Sequence, residues 1–476
     1  MYDTVNTTLG KRARWIIALS LLAMLVTLRG LTFLADTGAI GAGYTAKQVC
    51  SGVFVARLPE RFVLETDVLP RLSTVGPVSE LLDYEIHTDE KTVSATLLGQ
   101  EMLAAHHPRY GCTLLPDLKK SNGALWDLSP LSIESRVHSS RTDFFRHEMP
   151  STNDALTVES ESLNRAVATA FVETATGDRN TLAVVILHRG KIVAERYNAP
   201  ITARTPMQGW SMNKSLMATF IARQIDQDRL HLDDLVSTAL EAAGVKLDSV
   251  HSLDESLTLR HLLSMTSGFD FSERYFPGDD VTNMLYRQHA MWRSAPATRQ
   301  MHEPGKQFAY SSGDINTASL MWQQSLGGEP YPDWIATHFN VPLGLQEMVL
   351  EPDASGVQVG SSYAYLTARD WARIGQLWLD AWHGRSQLIS QTWQRQAVTP
   401  GTANNGGIYG LGFWLNTGQR RFPSAPESTF NAGGNSGQFV VVMPEQELVV
   451  VRLGLTLDES QADMDQLLAD LLAFIH

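Results

Sequence analysis

Two segments of the chain concentrate apolar and β-branched residues on either side of a short polar turn. In the first, TLAVVILHRGKIVAERYN (residues 181–198), the turn lies at 189–190. In the second, GQFVVVMPEQELVVVRLGL (residues 437–455), the turn lies at 444–446. Runs of this composition around a turn predict two β-hairpins.

Between these hairpins the pattern of residues 211–400 is mostly helical, with loops at 268–281 and 352–360. A helix is predicted near 164–174, and a closing amphipathic helix at about 458–475. One antiparallel sheet assembled from both ends of this region, with a helical subdomain inserted, accounts for the order. The predicted fold class is therefore α/β (α+β), an antiparallel sheet flanked by helices.

The N-terminal segment has a different composition. Lys11, Arg12 and Arg14 precede the uncharged run WIIALSLLAMLVTL, and apolar residues resume in LTFLA after Arg29. The run of 14 residues has the length of a signal-peptide core, whereas 15–35 as a whole is long enough to span a bilayer. We favour an uncleaved anchor with a cytoplasmic N-terminus over a cleaved signal, and a buried soluble helix is the third interpretation. Both targeting interpretations place the rest of the chain outside the cytoplasm.

Four regions are predicted: a cytoplasmic N-terminus with a transmembrane anchor or signal at 1–35, a small β-containing segment at 36–118, a linker at 119–155 and the catalytic domain at 156–476. Within the second region, LLDYEIHT and KTVSATLLG flank polar residues at 89–90, which predicts a hairpin. RYGCTLLP is interpreted as a third strand.

The chain has only two cysteines, Cys50 and Cys112, and both precede the main domain. In an oxidising compartment such a pair is typical of one disulfide. The alternative is two unrelated buried thiols. A catalytic cysteine is not expected, because no His or Asn arrangement accompanies either one.

Composition excludes several classes of function. The net charge of -13 argues against nucleic acid as a partner, and 43% apolar residues suffice for a sizeable core. His188, His261 and His302 lack the H-x-x-x-H spacing or cysteine partners of a metal site. No phosphate loop of Walker or dinucleotide type is present, so neither a metal nor a cofactor is predicted.

The segment GWSMNKS places Ser211 three residues before Lys214 at the start of an apolar helix. Positions i and i+3 share a helix face, so the Ser211 hydroxyl and the Lys214 amine can meet. Burial and the helix N-terminus would lower the pKa of Lys214, and a neutral amine can accept the serine proton. The Ser211 N–H is also a candidate oxyanion donor. Taken alone, the spacing is more typical of an ordinary amphipathic helix than of a catalytic pair.

Two further stretches supply candidate groups. PGKQFAYSSGD places Tyr310 and Ser312 on a loop before a helix, where a phenol can relay a proton if its pKa falls near that of a lysine. AGGNSGQ lies before the strand FVVV, where glycines allow a ligand to approach the backbone and where the Gln438 N–H is the candidate second oxyanion donor. A buried Tyr310 and a plain hairpin turn are the structural alternatives.

These three motifs, in this order, resemble the serine β-lactamase and penicillin-binding-protein superfamily, specifically the class C β-lactamase-like esterases and amidases. S-x-x-K and Y-x-S match the first two family motifs, and NSG stands where the family has K-T-G or H-x-G. LTLRHLLSMTSGF, YLTARDWARIGQLWLD and YGLGFW also match, over about residues 160–476. WSMNKS, GGNSGQ and the cysteine pair are most similar to the 6-aminohexanoate-dimer hydrolase-like branch.

The resemblance implies a β-lactamase/transpeptidase-like fold with Ser211 as the acylated nucleophile, Lys214 as its base and Tyr310 as general acid/base. It places the Ser211 and Gln438 N–H groups in the oxyanion hole. Ser312 occupies the position where β-lactamases usually carry Asn.

The third motif departs from the family pattern. It reads Asn435-Ser436-Gly437, and its first position has no Lys or His to hold a substrate carboxylate. The resemblance therefore implies an ester, amide or peptide-like small substrate with no carboxylate at that point.

Two further loops contain weaker candidates for residues that contact the substrate. Asp270, Glu273 or Tyr275 in GFDFSERYFPGDD are candidates to contact a cationic or amide group, with solvated loop residues as the alternative. The segment GSSY at 360–363 is a candidate lining, with a plain helix N-cap as the alternative.

The leading hypothesis is a periplasmic serine hydrolase anchored in the inner membrane, acting on an ester or amide through an acyl-enzyme. A β-lactamase or DD-carboxypeptidase of the same fold is the first alternative. A non-catalytic ligand-binding module that retains the fold is the second.

Overall fold

The computed structural model describes residues 3–116, 158–246, 253–346, 348–401, 403 and 406–474. The predicted linker at 119–155 lies outside these residues. The strands are β1 (Asp83–His87), β2 (Thr92–Leu97), β3 (Gln100–His107), β4 (Gly111–Leu115), β5 (Thr181–His188), β6 (Lys191–Tyr197), β7 (Met207–Gln208), β8 (Val349–Leu350), β9 (Ala364–Leu366), β10 (Trp414–Leu415), β11 (Phe430–Gly434), β12 (Gln438–Met443) and β13 (Leu448–Gly454). The α-helices are α1 (Asp3–Cys50), α2 (Glu60–Val63), α3 (Leu69–Ser73), α4 (Val158–Thr169), α5 (Met212–Asp226), α6 (Val236–Ala242), α7 (Leu259–Leu263), α8 (Asp280–Arg287), α9 (Ser312–Ser325), α10 (Tyr331–Ile335), α11 (Val341–Leu343), α12 (Ala368–Trp382), α13 (Gln391–Ala397) and α14 (Met464–Leu472).

The main sheet has the order β10-β11-β12-β13-β5-β6, and all its neighbouring strands are antiparallel. The two predicted hairpins are the pairs β5–β6 and β12–β13. Val450 of β13 lies opposite Ile186 of β5, so strands from both ends of the region pair directly. The predicted fold class is confirmed.

Both faces of this sheet are buried, which explains the unbroken valine runs. Along β13, Val449 and Val451 pack in the large core that contains α12 and α5, whereas Val450 packs in a second core with Leu468 of α14. The closing helix α14 is shorter than predicted, because a short 3-10 turn occupies the residues before Asp463.

A third sheet has the order β7-β9-β8; β8 and β9 lie within the region predicted to be mostly helical, and β7 lies just before it. Its strands contain only two or three residues each, too few for an alternating pattern to show in the sequence. Gln208 of β7 pairs with Tyr365 of β9, which brings the segment before the GWSMNKS motif against the GSSY segment.

The N-terminal helix continues past the predicted boundary at residue 35. In α1 the side chains of Trp15–Met24 and Thr27–Ala35 are exposed, and those of Thr37–Cys50 are buried against the rest of the protein. The stretch Trp15–Val55 contains an exposed window of 18 residues with a mean hydropathy of 2.1, long and apolar enough to cross a membrane. Its buried second half is therefore part of the folded domain.

The small N-terminal sheet has the order β1-β2-β3-β4 and is antiparallel. The predicted hairpin is the β1–β2 pair, and the predicted third strand is β4. Sequence analysis missed β3, whose residues include several of low strand propensity.

Residues 36–116, which we call the N-terminal extension, are fixed to the catalytic region by a buried polar cluster. Lys47 forms an ion pair with Glu351, which also accepts hydrogen bonds from the Ser51 hydroxyl (2.8 Å) and the Cys112 N–H (2.7 Å). The structure joins Cys50 and Cys112 as a disulfide, with their Cα atoms 6.0 Å apart. At the start of the extension, Arg287 of α8 donates to Asp36 at 2.6 Å.

Candidate active site

Ser211 lies at the N-terminus of α5. The two residues before it adopt backbone conformations that fix its position. Trp210 directly before it has a φ of +49°, in the left-handed region that only constrained residues adopt. Gly209 cannot carry a side chain, because a Cβ there would lie 2.3 Å from the Trp371 ring. The sharp entry leaves Ser211 half-buried at the helix start, with its N–H unpaired within the helix.

Lys214 contacts the hydroxyl group of Ser211 directly. Its buried Nζ donates to Ser211 Oγ at 2.8 Å, to Ser312 Oγ at 2.9 Å and to the Ser361 carbonyl oxygen at 3.2 Å. Burial lowers the pKa of Lys214 to about 8, and the nearby negative charge of Glu273 opposes this shift. An amine with that pKa is neutral often enough near neutral pH to accept a proton.

Glu273 lies behind Ser312 rather than in solvent. Its carboxylate accepts the Ser312 N–H at 2.9 Å and the Ser312 hydroxyl at 2.5 Å. Burial raises the pKa of Glu273, and the positive charge of Lys214 opposes this. Ser312, predicted to bind substrate, therefore links the Glu273 carboxylate to the Lys214 amine, an arrangement that sequence analysis did not identify.

Tyr310 lies beside the same pair. Its ring stacks on Trp414, with centroids 5.1 Å apart, and lies edge-on to Tyr409 at 5.8 Å. Lys214 Nζ is 4.8 Å from the ring centroid. Burial raises the pKa of Tyr310, and a hydrogen bond with Ser211 opposes this. The phenol is thus protonated at neutral pH, and the expected fall of its pKa toward that of a lysine does not occur.

The segment AGGNSGQ connects β11 to β12. It is therefore a hairpin turn, and the same turn lies at the candidate site. Gly434 at the end of β11 lies against Ser211, since a Cβ there would be 3.2 Å from Ser211 N and 2.2 Å from the Gly209 carbonyl oxygen. Gln438 pairs with Gly434 from the next strand, and its side chain accepts the Gly454 N–H at 3.1 Å. The backbone that approaches Ser211 is therefore that of β11, whose chain continues directly into Asn435.

The remaining residues of the turn contact the N-terminal extension. Arg71 of α3 donates to Asn435 Oδ1 at 3.0 Å and to Ser436 Oγ at 2.7 Å. Ser436 has a φ of +64° and Gly437 a φ of +72°, as a tight turn requires. Sequence analysis predicted no contact between the extension and this motif, because nothing local in either segment indicates it.

Arg421 is a second cation beside this turn. Its guanidinium lies 4.6 Å from the Trp414 ring, and Nε donates to Asn431 Oδ1 at 3.2 Å. A Cβ at Gly433 would lie 2.8 Å from Arg421 Nη2, so the glycine makes room for the guanidinium. Arg421 was not singled out from the sequence, where it is one of two adjacent arginines in a polar loop.

The other candidates occupy different environments. Asp270 is exposed, and the Tyr275 hydroxyl donates to Glu273 at 3.3 Å. Ser361 contributes its carbonyl oxygen to the Lys214 site, whereas Tyr363 is buried and donates to the Leu285 carbonyl at 3.1 Å. Within the described ranges, no cluster of His, Cys, Asp and Glu side chains has the arrangement of a metal site.

The pH dependence of activity should report Lys214. If the neutral amine is the base, kcat/KM for an ester rises with pH through an apparent pKa of about 8. Glu273→Gln removes a negative charge that favours the ammonium, so the pKa of Lys214 falls and the rising limb moves to lower pH by about one unit. Stopped-flow or steady-state pH profiles measure this shift.

The control is Glu255→Gln, which removes the charge of an exposed carboxylate away from the site and should leave the limb in place. A limb that stays fixed or moves to higher pH in Glu273→Gln contradicts the assignment of Lys214 as the titrating base.

Comparisons with known proteins show the family and the fold. The sequence model of the family described as Beta-lactamase matches residues 165–473. The 6-aminohexanoate-dimer hydrolase of Paenarthrobacter ureafaciens is 25% identical over 304 residues, which cover 57% of this chain and 72% of that protein.

Two solved structures share the fold. EstCE1, a hydrolase with promiscuous acyltransferase activity, superposes with a TM-score of 0.52 at 16% identity, covering 67% of this chain and 100% of that one. A penicillin-binding protein homologue from Caulobacter crescentus gives a TM-score of 0.50 at 15% identity, covering 67% and 99%.

Proposed function

The chain belongs to the β-lactamase family and is a serine hydrolase, and from this premise we propose that Ser211 is acylated by an ester or amide substrate. The observation that carries the proposal is the contact of 2.8 Å between the Ser211 hydroxyl and the buried Lys214 amine. Few structural roles require a buried lysine whose partners are two serine hydroxyls and a carbonyl oxygen.

Acylation uses groups already in contact. Ser211 Oγ attacks the carbonyl carbon while its proton passes to neutral Lys214 Nζ. The tetrahedral intermediate collapses with loss of the alcohol or amine, which takes a proton through the Tyr310 hydroxyl. A water molecule then attacks the acyl carbonyl, and Ser211 recovers its proton as the carboxylic acid leaves.

The developing oxyanion needs two N–H donors. The Ser211 N–H at the start of α5 is the first. For the second, the approach of Gly434 to Ser211 favours the N–H of Asn435, which follows Gly434 directly. The sequence-based assignment of Gln438 stays a prediction; its N–H belongs to the neighbouring strand β12.

The substrate is proposed to be an ester or a linear amide. Support comes from the name of the relative that hydrolyses the 6-aminohexanoate dimer, a linear amide. The penicillin-binding protein homologue that shares the fold favours a β-lactamase or DD-carboxypeptidase as the second candidate. The proposed location is the outer face of the inner membrane, with the exposed apolar part of α1 before Asp36 as the anchor.

A substrate panel distinguishes these activities. Full-length protein in detergent is assayed with 4-nitrophenyl butyrate, the linear 6-aminohexanoate dimer, nitrocefin and a D-Ala-D-Ala peptide. The proposal expects turnover of the ester or the linear amide at rates above those of the two cell-wall-type substrates. Faster turnover of nitrocefin or of the peptide would transfer the assignment to the second candidate.

A further inference from the structure

Arg71 brings a positive charge from the N-terminal extension to the active-site turn. Its Nη2 contacts Asn435 and Ser436, the two residues that follow Gly434, and Gly434 lies against Ser211 N. Both contacts use one nitrogen, whereas a guanidinium carries five N–H donors. A hydrogen bond with Tyr44 occupies a further donor, and the donors that remain are available to other acceptors.

The charge at this turn is not balanced by a direct ion pair. Among the described residues, no carboxylate lies within 4.0 Å of the guanidinium of Arg71 or of Arg421. Asp67 accepts a hydrogen bond from Tyr44 at 2.5 Å, and its charge acts on Arg71 without a direct ion pair. Glu459, whose charge acts on both arginines, accepts a hydrogen bond from the Ser436 backbone N–H, so one carboxylate also lies at the turn. Two cations thus flank the Gly433–Ser436 backbone beside the nucleophile.

A cavity of about 190 Å³ opens between the extension and the catalytic region at the same place. Arg71 and Asn435 lie in its wall, together with the hydroxyl groups of Thr37, Thr74 and Thr282. The remaining wall is mostly apolar and includes Ile40, Leu72, Trp210 and Tyr286. Trp210 directly precedes Ser211 in the chain, so the cavity lies next to the segment that carries the proposed nucleophile. This combination fits a ligand with one anionic group and an apolar part.

We infer that Arg71 binds a substrate carboxylate close to the scissile bond, so that the N-terminal extension completes the substrate site of the catalytic domain. A guanidinium matches a carboxylate through two parallel N–H···O bonds. The expectation that the substrate lacks a carboxylate rested on the neutral Asn435 alone. In the folded protein Asn435 is the residue that orients Arg71. The inference rests on the proposed function, because it concerns substrates of Ser211.

The test compares matched esters that differ in charge. Mono-4-nitrophenyl glutarate and 4-nitrophenyl pentanoate differ in a carboxylate on the acyl side. 4-Acetoxybenzoate and its methyl ester differ in a carboxylate on the leaving group. The measured quantity for the full-length protein is the ratio of kcat/KM for the anionic ester to that for its neutral partner, and the two pairs show on which side the carboxylate binds.

Arg71→Ala should lower this ratio by about 10- to 100-fold in one of the two pairs, mainly through KM, as the loss of a charged hydrogen bond predicts. Arg71→Lys should restore part of it. The control Arg61→Ala removes an exposed arginine of the same extension that pairs with Glu65, and it should leave both ratios unchanged.

Equal losses for the charged and neutral esters, with a lower Tm, would overturn the inference and make Arg71 a structural link only. An unchanged ratio in Arg71→Ala would also overturn it. Mass spectrometry of Ser211 distinguishes failure of this inference from failure of the proposed function. If none of these esters acylates Ser211, the proposed function fails as well. If they acylate Ser211 but Arg71 does not affect the preference for charge, only this inference fails.

Discussion

Replacing Ser211 with alanine is expected to lower kcat/KM for a turned-over ester by about ten-thousandfold or more, because no acyl-enzyme can form without the hydroxyl. Alanine suits this position, since Ser211 precedes α5 and its side chain makes no capping hydrogen bond. The fold and the free energy of unfolding should therefore change little. Initial rates at several substrate concentrations measure the loss, and circular dichroism confirms folding.

Ser424→Ala is the matched control, because its hydroxyl contacts Asp465 on the surface, away from the site. It should retain the wild-type rate. Substantial activity in a folded Ser211→Ala protein would mean that another group is the nucleophile.

The second large effect is expected from Lys214→Met, which keeps the length of the side chain and removes the amine. Loss of a positioned general base typically costs about 10²- to 10⁴-fold in rate. The rising limb of the pH profile near pH 8 should disappear with it, because the titrating group is gone. The measurement is kcat/KM as a function of pH, with Lys306→Met, an exposed lysine, as the control.

The two readouts separate catalysis from packing. A variant that loses activity but keeps the rising limb would place the titrating base elsewhere. Activity close to that of the wild type would remove Lys214 from the mechanism altogether.

The main sheet could be predicted because its information is local. The valine runs around 444–446 and the apolar run before residue 189 each encode a hairpin in fewer than twenty residues. The short strands of the third sheet could not be predicted, since two or three residues carry no periodicity. The strand β11, rich in small residues, gave no signal either.

The contacts of the candidate site also differ in whether a local sequence pattern could predict them. The spacing of Ser211 and Lys214 along one helix predicted their contact, which the structure shows at 2.8 Å. Contacts between distant segments left no local trace. Glu273 lies 39 positions from Ser312, and Arg71 lies 364 positions from Asn435. Their partners depend on how the loops and the extension pack, which no short pattern encodes.

The N-terminal extension shows what a division by composition overlooks. The change from apolar to mixed residues near residue 35 predicted a boundary there. The side chains of α1 change from exposed to buried at the same place, while the helix itself continues without interruption to Cys50. Backbone hydrogen bonding does not depend on which medium surrounds the helix. One helix can therefore join an exposed apolar segment to the wall of the active-site cavity.

The central claim is that Ser211 is the acylated nucleophile, and active-site labelling tests it most directly. Folded, full-length protein is treated with a fluorophosphonate probe, digested and analysed by mass spectrometry. The account predicts a single phosphonylated peptide with the label on Ser211, formed faster as the pH rises through about 8. Label on a different serine, or none on folded protein, would contradict it.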